Sequence, residues 1–136
     1  MLINANKLSE LHFLLNSNSY DLLFFTETWF NANLTDSVIL NGSNYDIIRH
    51  DRPYGIGGGC CVFIKEIVVN YIRVQIPDKF SDLDIICFDL HGSEIKYRFI
   101  NFFARLIMMK ILEIKRNYPL NVLKNFLMMW MHLLFW

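Results

Sequence analysis

The stretch Tyr20–Phe30, YDLLFFTETWF, is an apolar run that ends in a carboxylate. Asp21 to Phe25 reads as a strand covered on both faces, because the run is short, continuous and bounded by polar residues. Glu27 follows directly, between Thr26 and Thr28. A charge at the end of a dry strand is costly unless it is paired, hydrogen-bonded or metal-bound. At such a position the carboxylate points into the space above the sheet edge. There a hard cation such as Mg²⁺ takes oxygen ligands, usually one or two carboxylates with waters and substrate phosphate. The plainer reading is a capped or salt-bridged glutamate, and position alone favours it.

Working outward, Leu8, Leu11, Leu14 and Leu15 recur at helical spacing, so residues 6–17 are expected to form an amphipathic helix. Asn16 to Ser19 is a polar break that ends it. Beyond the opening stretch, Asn31 to Thr35 reads as a loop and Asp36 to Leu40 as a short helical turn. Asn41-Gly42-Ser43-Asn44 is turn chemistry. Strands are expected at Tyr45–His50, Cys60–Ile64, Val68–Val74, Leu83–Leu90 and Ile95–Phe103, with Lys65-Glu66 as the hairpin turn between the Cys60 and Val68 strands. One helix followed by strands joined mostly as hairpins predicts an α+β fold with a largely antiparallel sheet. After Phe103 the character changes. Ala104 to Asn117, ARLIMMKILEIKRN, mixes long apolar and basic residues and reads as a helix candidate. The boundary therefore falls between a domain at 1–103 and a tail at 104–136.

The totals are those of one ordinary domain: 136 residues, 54% hydrophobic and 15% aromatic, which argues against disorder. Thirteen basic and thirteen acidic residues cancel, so no global field draws the chain to nucleic acid. Cys60, Cys61 and Cys87 have no metal-type spacing and read as small apolar residues in strands of a reduced, intracellular protein. The start shows no secretory signal. Phe126 to Trp136 is almost wholly apolar, but eleven residues fall well short of the roughly 20 that span a bilayer. The four histidines form no HxxxH or HExxH pair and read as surface or helix-face residues. Gly57-Gly58-Gly59 opens a strand and not a helix, so positive φ in a turn or bulge explains it better than phosphate binding. Arg49-His50-Asp51-Arg52 is a charged cluster at a strand end. It is read as a solvated loop, or more sharply as a loop that meets a phosphate backbone.

Several elements in order carry a resemblance: KLSEL, YDLLFFTETWFN, DSVIL, YDIIRHDR, GIGGGCCVFIK, LDIICFDL and YRFIN. This series resembles the N-terminal half of the endonuclease domain of non-LTR retrotransposons, in the endonuclease/exonuclease/phosphatase superfamily. It covers about residues 3–103. The resemblance implies a four-layered α/β sandwich, present here in part. It implies metal-dependent phosphodiester hydrolysis that nicks DNA, with Mg²⁺ as cofactor, DNA as partner and the nucleus as the place of action. The glutamate of the TETW element is a metal ligand and catalytic residue in that family, and its position here is Glu27.

The departures are as informative. The family's first active-site residue is an asparagine on a strand before the KLxEL helix, and Asn4 and Asn6 lie too close to Lys7 to be it. The family's tyrosine position is most simply Phe103, which has no hydroxyl. The second-half carboxylates and the general-base histidine have no counterpart, and nothing after Ala104 matches. The expected function is therefore a truncated endonuclease-like protein that has lost nicking. The tail is read as an out-of-frame or non-coding continuation, which the other two reading frames of the DNA would test. The alternatives are a non-catalytic binding fragment that self-associates through an uncovered sheet face, and a small membrane-associated protein using Phe126 to Trp136.

Overall fold

The computed structural model describes residues 5–53, 57–68, 70–92, 96–102 and 110–113. The chain runs α1 (Ala5–Ser17), β1 (Leu22–Thr26), α2 (Asp36–Leu40), β2 (Tyr45–His50), β3 (Cys60–Lys65) and β4 (Tyr71–Val74). A 3₁₀ turn (Asp78–Phe80) then precedes β5 (Ile85–His91), β6 (Lys96–Phe102) and β7 (Lys110–Glu113). The fold is α+β, with two antiparallel sheets ordered β1-β3-β2 and β4-β5-β6-β7.

Side-chain alternation explains how the layers assemble. Along β1 and β3, Leu22, Phe24, Cys60, Val62 and Ile64 face the second sheet, where Ile86, Phe88, Leu90, Tyr97 and Phe99 meet them. Leu23, Phe25, Cys61 and Phe63 face the other way and are covered by Leu11 and Leu15 of α1, Ile39 of α2 and Phe30. Both faces of β3 are thus dry, as the continuous run CCVFIK requires. Phe24 packs near Phe88 and Phe99, whose rings stack at 5.2 Å, so aromatic contact fills the space between the sheets.

Three expectations differ from the fold. β3 and β4 do not form a hairpin across Lys65-Glu66. β3 is the central strand of its sheet and is paired on both sides, by β1 and β2, so β4 cannot pair with it. The chain turns at Glu66 and Ile67 and crosses to the second sheet, which shortens the expected Val68–Val74 strand to Tyr71–Val74. The first sheet also does not lack cover, because β5 and β6 supply the facing layer from within the chain. Lys110–Glu113, inside the segment expected to be helical, pairs with β6 from Tyr97 to Ile100. Basic and apolar residues in that segment alternate as well as they follow a helical repeat, which is why the period misleads there. The rest of the tail and Phe103 lie outside the described residues.

Candidate functional site

The strand ends define one rim of the sandwich. β1 ends at Thr26 and β3 begins opposite it at Cys60, which also faces His50 at the end of β2. In the second sheet, β5 begins at Ile85 opposite Phe102 at the end of β6. Glu27, the Gly57–Gly59 loop, the His50–Arg52 loop and Asp84 all meet at this rim.

Glu27 is held there by its own backbone and by two donors. Its φ is +56°, and Trp29 also has a φ of +56°. Non-glycine residues in this region carry strain of about 1–3 kcal/mol each and persist only where their surroundings hold them. What holds them is the glycine loop. The Trp29 amide donates to the Gly58 carbonyl at 2.9 Å and the Thr28 amide to the Gly59 carbonyl at 3.3 Å. The half-buried Glu27 carboxylate folds back on this turn: its Oε2 accepts from the Trp29 indole and from the Gly58 amide, both at 3.1 Å. The opening puzzle thus has a local answer, since the carboxylate is hydrogen-bonded, as a buried rim charge must be.

The three glycines make room for this closure. Their φ values lie between +79° and +85°, as the turn reading expects. A Cβ on Gly58 would stand 2.3 Å from the Arg52 guanidinium carbon, and one on Gly57 would stand 3.1 Å from the Trp29 ring. Arg52 lies across Gly58 to reach Asp84, which is 3% exposed and also accepts from the Gly59 amide at 3.0 Å. The hydrogen bond to Asp84 raises the Arg52 pKa against partial burial, and the nearby Glu27 charge adds to it. His50 Nε2 stands 3.9 Å from the other Asp84 oxygen.

The cations of the Arg49–Arg52 cluster are engaged with acceptors of the chain itself, while the Arg52 side chain stays exposed. Arg49 donates to the carbonyls of Asn31 and Leu34, to Asp36 and to both oxygens of Asp51, and it lies over the Phe30 ring at 5.3 Å. Burial opposes its charge, but Asp51 and Asp36 outweigh burial and raise its pKa. Arg49 therefore clamps the β1–α2 loop, and Arg52 serves Asp84.

Two rim residues went unseen in the sequence. Asp84 sits between Leu83 and Ile85 in a polar connection, with no spacing signal to mark it. Asn101 is 2% exposed, and its Nδ2 donates to the carbonyls of Phe25 at 3.1 Å and Cys61 at 3.2 Å. It ties β6 of one sheet to β1 and β3 of the other, two residues before Glu27. Here a signal existed, because Asn101 continues the inward register of Tyr97 and Phe99.

For a divalent cation, Glu27 supplies one carboxylate with both of its hydrogen bonds gathered on one oxygen. That suits a largely hydrated Mg²⁺, which needs few protein ligands. It is not a protein cage: among the described residues no group of three His, Cys, Asp or Glu side chains converges to hold a metal. Asp84, the nearest rim carboxylate with a defined role, is already engaged by Arg52 and Gly59. All three cysteines are free thiols, and burial pushes each of them up in pKa, so they are poor metal ligands. Among the described residues no helix is long and apolar enough to cross a membrane. No protein-family model, curated protein or solved structure matches the chain.

Proposed function

We propose that the chain is an endonuclease-like protein of the endonuclease/exonuclease/phosphatase type, with Glu27 as the carboxylate for a hydrated Mg²⁺ at a DNA phosphate, and that it does not nick DNA by itself. The observation that carries this reading is Glu27 at the rim, held at φ +56° with Oε2 fixed by Trp29 and Gly58. Strain of that kind marks functional positions. When bound, the metal would polarise a phosphoryl oxygen and lower the pKa of its water. The chain's own part is to hold the carboxylate still at the rim. Turnover needs more than this, because phosphoryl transfer depends on several groups placed together, including a base. Asp84 and Arg52 neutralise one another at this rim and leave neither for that work.

The four-layered sandwich of that superfamily is the architecture this reading takes for the α+β pair of sheets. Supercoiled plasmid incubated with Mg²⁺ tests activity: the relaxed fraction should be the same for the wild-type chain and for E27A. Nicking that depends on Glu27 overturns the claim of inactivity. Mn²⁺ tests the site itself. It should broaden the Trp29 indole and Gly58 amide resonances in the wild-type chain and spare them in E27Q, and uniform or absent broadening removes Glu27 as a ligand.

A second reading, a non-catalytic interaction fragment, is favoured by β4. It is a short strand at the edge of its sheet, and Ile72 on it is 59% exposed. Such an edge is open to strand pairing with another chain. Sedimentation of wild type beside Ile72→Lys decides it: a monomer at all concentrations in both proteins ends this reading.

A further inference from the structure

A cavity of about 410 Å³ opens beside the rim, outside the Glu27 turn. It lies between the end of β2, strand β4 and the connection from β4 to β5. His50 and Arg73 line it with Ile76, Phe80, Leu83 and Ile85. Neither Glu27, Trp29 nor Gly58 contributes to its wall.

The charge of Arg73 sets this cavity apart. Lys7, Arg49, Arg52, Lys65, Lys96 and Arg98 each stand against a carboxylate. Lys79 lies over the Phe80 ring at 4.9 Å. Arg73 has only a long bond, 3.4 Å, to the carbonyl of Arg49, and no carboxylate partner among the described residues. Of the acids beside the lining residues, Asp84 is already shared by Arg52 and the Gly59 amide, and Asp82 makes no ion pair with Arg73 among the described residues. The pocket therefore pairs one uncompensated guanidinium with an apolar wall.

That pairing has a chemical complement. A guanidinium fork matches the oxygens of a carboxylate or phosphate. Small-molecule pockets of roughly 300–1,000 Å³ are mostly apolar, with a few placed polar groups that fix orientation. A bare inorganic anion would leave the wall of Ile76, Phe80 and Leu83 uncovered. A neutral ring would leave Arg73 without a counter-charge. We propose that this pocket binds a small amphipathic oxyanion, a phosphate monoester or carboxylate carried on an aromatic ring, with the oxyanion on Arg73 and the ring against Phe80, Ile76 and Leu83.

This proposal is independent of any role for Glu27. The test is a titration of the full chain, followed by NMR, with phenyl phosphate and with benzoate. Inorganic phosphate and benzyl alcohol serve as the separate halves of the ligand. At least one aryl oxyanion should give saturable shifts confined to residues around His50 and between Arg73 and Cys87, and it should bind more tightly than either half. The tighter of the two fixes the head group. Arg73→Gln, at an exposed site, should weaken that binding about tenfold or more, the worth of a charged hydrogen bond. Leu83→Asp, at a side chain 47% exposed, should weaken it similarly through the wall. E27Q should leave it unchanged. Absence of saturable binding, inorganic phosphate binding as tightly as phenyl phosphate, or an affinity unmoved by Arg73→Gln each overturns the proposal.

Discussion

Asn101→Leu tests the joint between the two sheets. The Asn101 side chain is buried, and its amide nitrogen satisfies two carbonyls of the facing sheet, those of Phe25 and Cys61. Leucine keeps the branched, four-atom shape, with some crowding from its larger methyl groups. What changes is hydrogen bonding. Each neutral hydrogen bond contributes about 0.5–1.5 kcal/mol net, while each buried acceptor left unpaired costs about 1–3 kcal/mol. The smaller figure applies here, since Phe25 and Cys61 are partners in the β1–β3 ladder and their carbonyls keep that pairing after the substitution. For two such bonds the expected loss is about 1–3 kcal/mol, partly offset by the better transfer of an apolar side chain.

That is a large share of a domain stability of about 5–15 kcal/mol. Urea unfolding followed by circular dichroism reads it as a fall in midpoint at constant slope. Phe25 stands two residues before Glu27, so the Trp29 indole resonance of the folded variant should shift as well. A midpoint within experimental error of wild type would refute the reasoning, because it would mean that the two bonds from Asn101 add nothing to the joint. A comparison at Ile100, the neighbour on the opposite face of β6, controls for strand effects: Ile100→Val should cost only about 0.5–1.5 kcal/mol.

Three further predictions follow from the same geometry. Gly58→Ala should destabilise more than Gly42→Ala, because both have positive φ but only Gly58 faces a guanidinium at 2.3 Å, whereas Gly42 faces open space; equal thermal midpoints refute the close approach. Asp89 is held well below the usual carboxylate range by its hydrogen bond to Arg98 foremost, with Lys96 adding to this against the effect of burial. Its lowered pKa contributes stability that is present above the unfolded value of about 3.9 and is lost as pH falls toward the folded value. The stability gap between wild type and Asp89→Asn, measured by urea midpoints, should therefore be widest near neutral pH and narrow with acidification; a gap that is independent of pH refutes the pairing. Thr28→Val should be neutral or stabilising by up to about 1 kcal/mol, because the Thr28 hydroxyl is buried without a hydrogen-bond partner and its removal ends a desolvation penalty; a clear loss would show that the hydroxyl is satisfied by water.

Much of the local structure was legible in the sequence. The leucine spacing in residues 8–15 marks α1, and the turn residues around Asn41 to Asn44 separate α2 from β2. The glycine triplet announces positive φ, since few other residues tolerate it three times in succession. Sheet membership was not legible. The apolar run at Cys60–Ile64 and the β-branched residues of Val68–Val74 say that each is a strand, but the rule that neighbours pair fails because β3 already has two partners. The shared second sheet, and with it the cover for the first, was hidden by the same ambiguity. The tail misled for a related reason: in Lys110–Glu113, KILE, four residues are too few for one period to exclude another.

The rim shows why a motif and a site are different objects. The TETW element locates Glu27, and its position in sequence favours a cap over a ligand. The structure supplies the cap: Trp29 and Gly58 satisfy one carboxylate oxygen. A cap alone does not account for the conformation, because an ordinary strand end satisfies a glutamate without two residues at positive φ. Moving Glu27 and Trp29 into ordinary β geometry would relieve that strain and would also break the amide bonds to Gly58 and Gly59. The turn is thus kept by the glycine loop, which in turn is kept open by Arg52 lying across Gly58 to Asp84. Their mutual dependence is what makes a fixed carboxylate at the rim the economical explanation, and it places Arg52, and with it Asp84, which the sequence left unmarked, among the residues on which Glu27 depends.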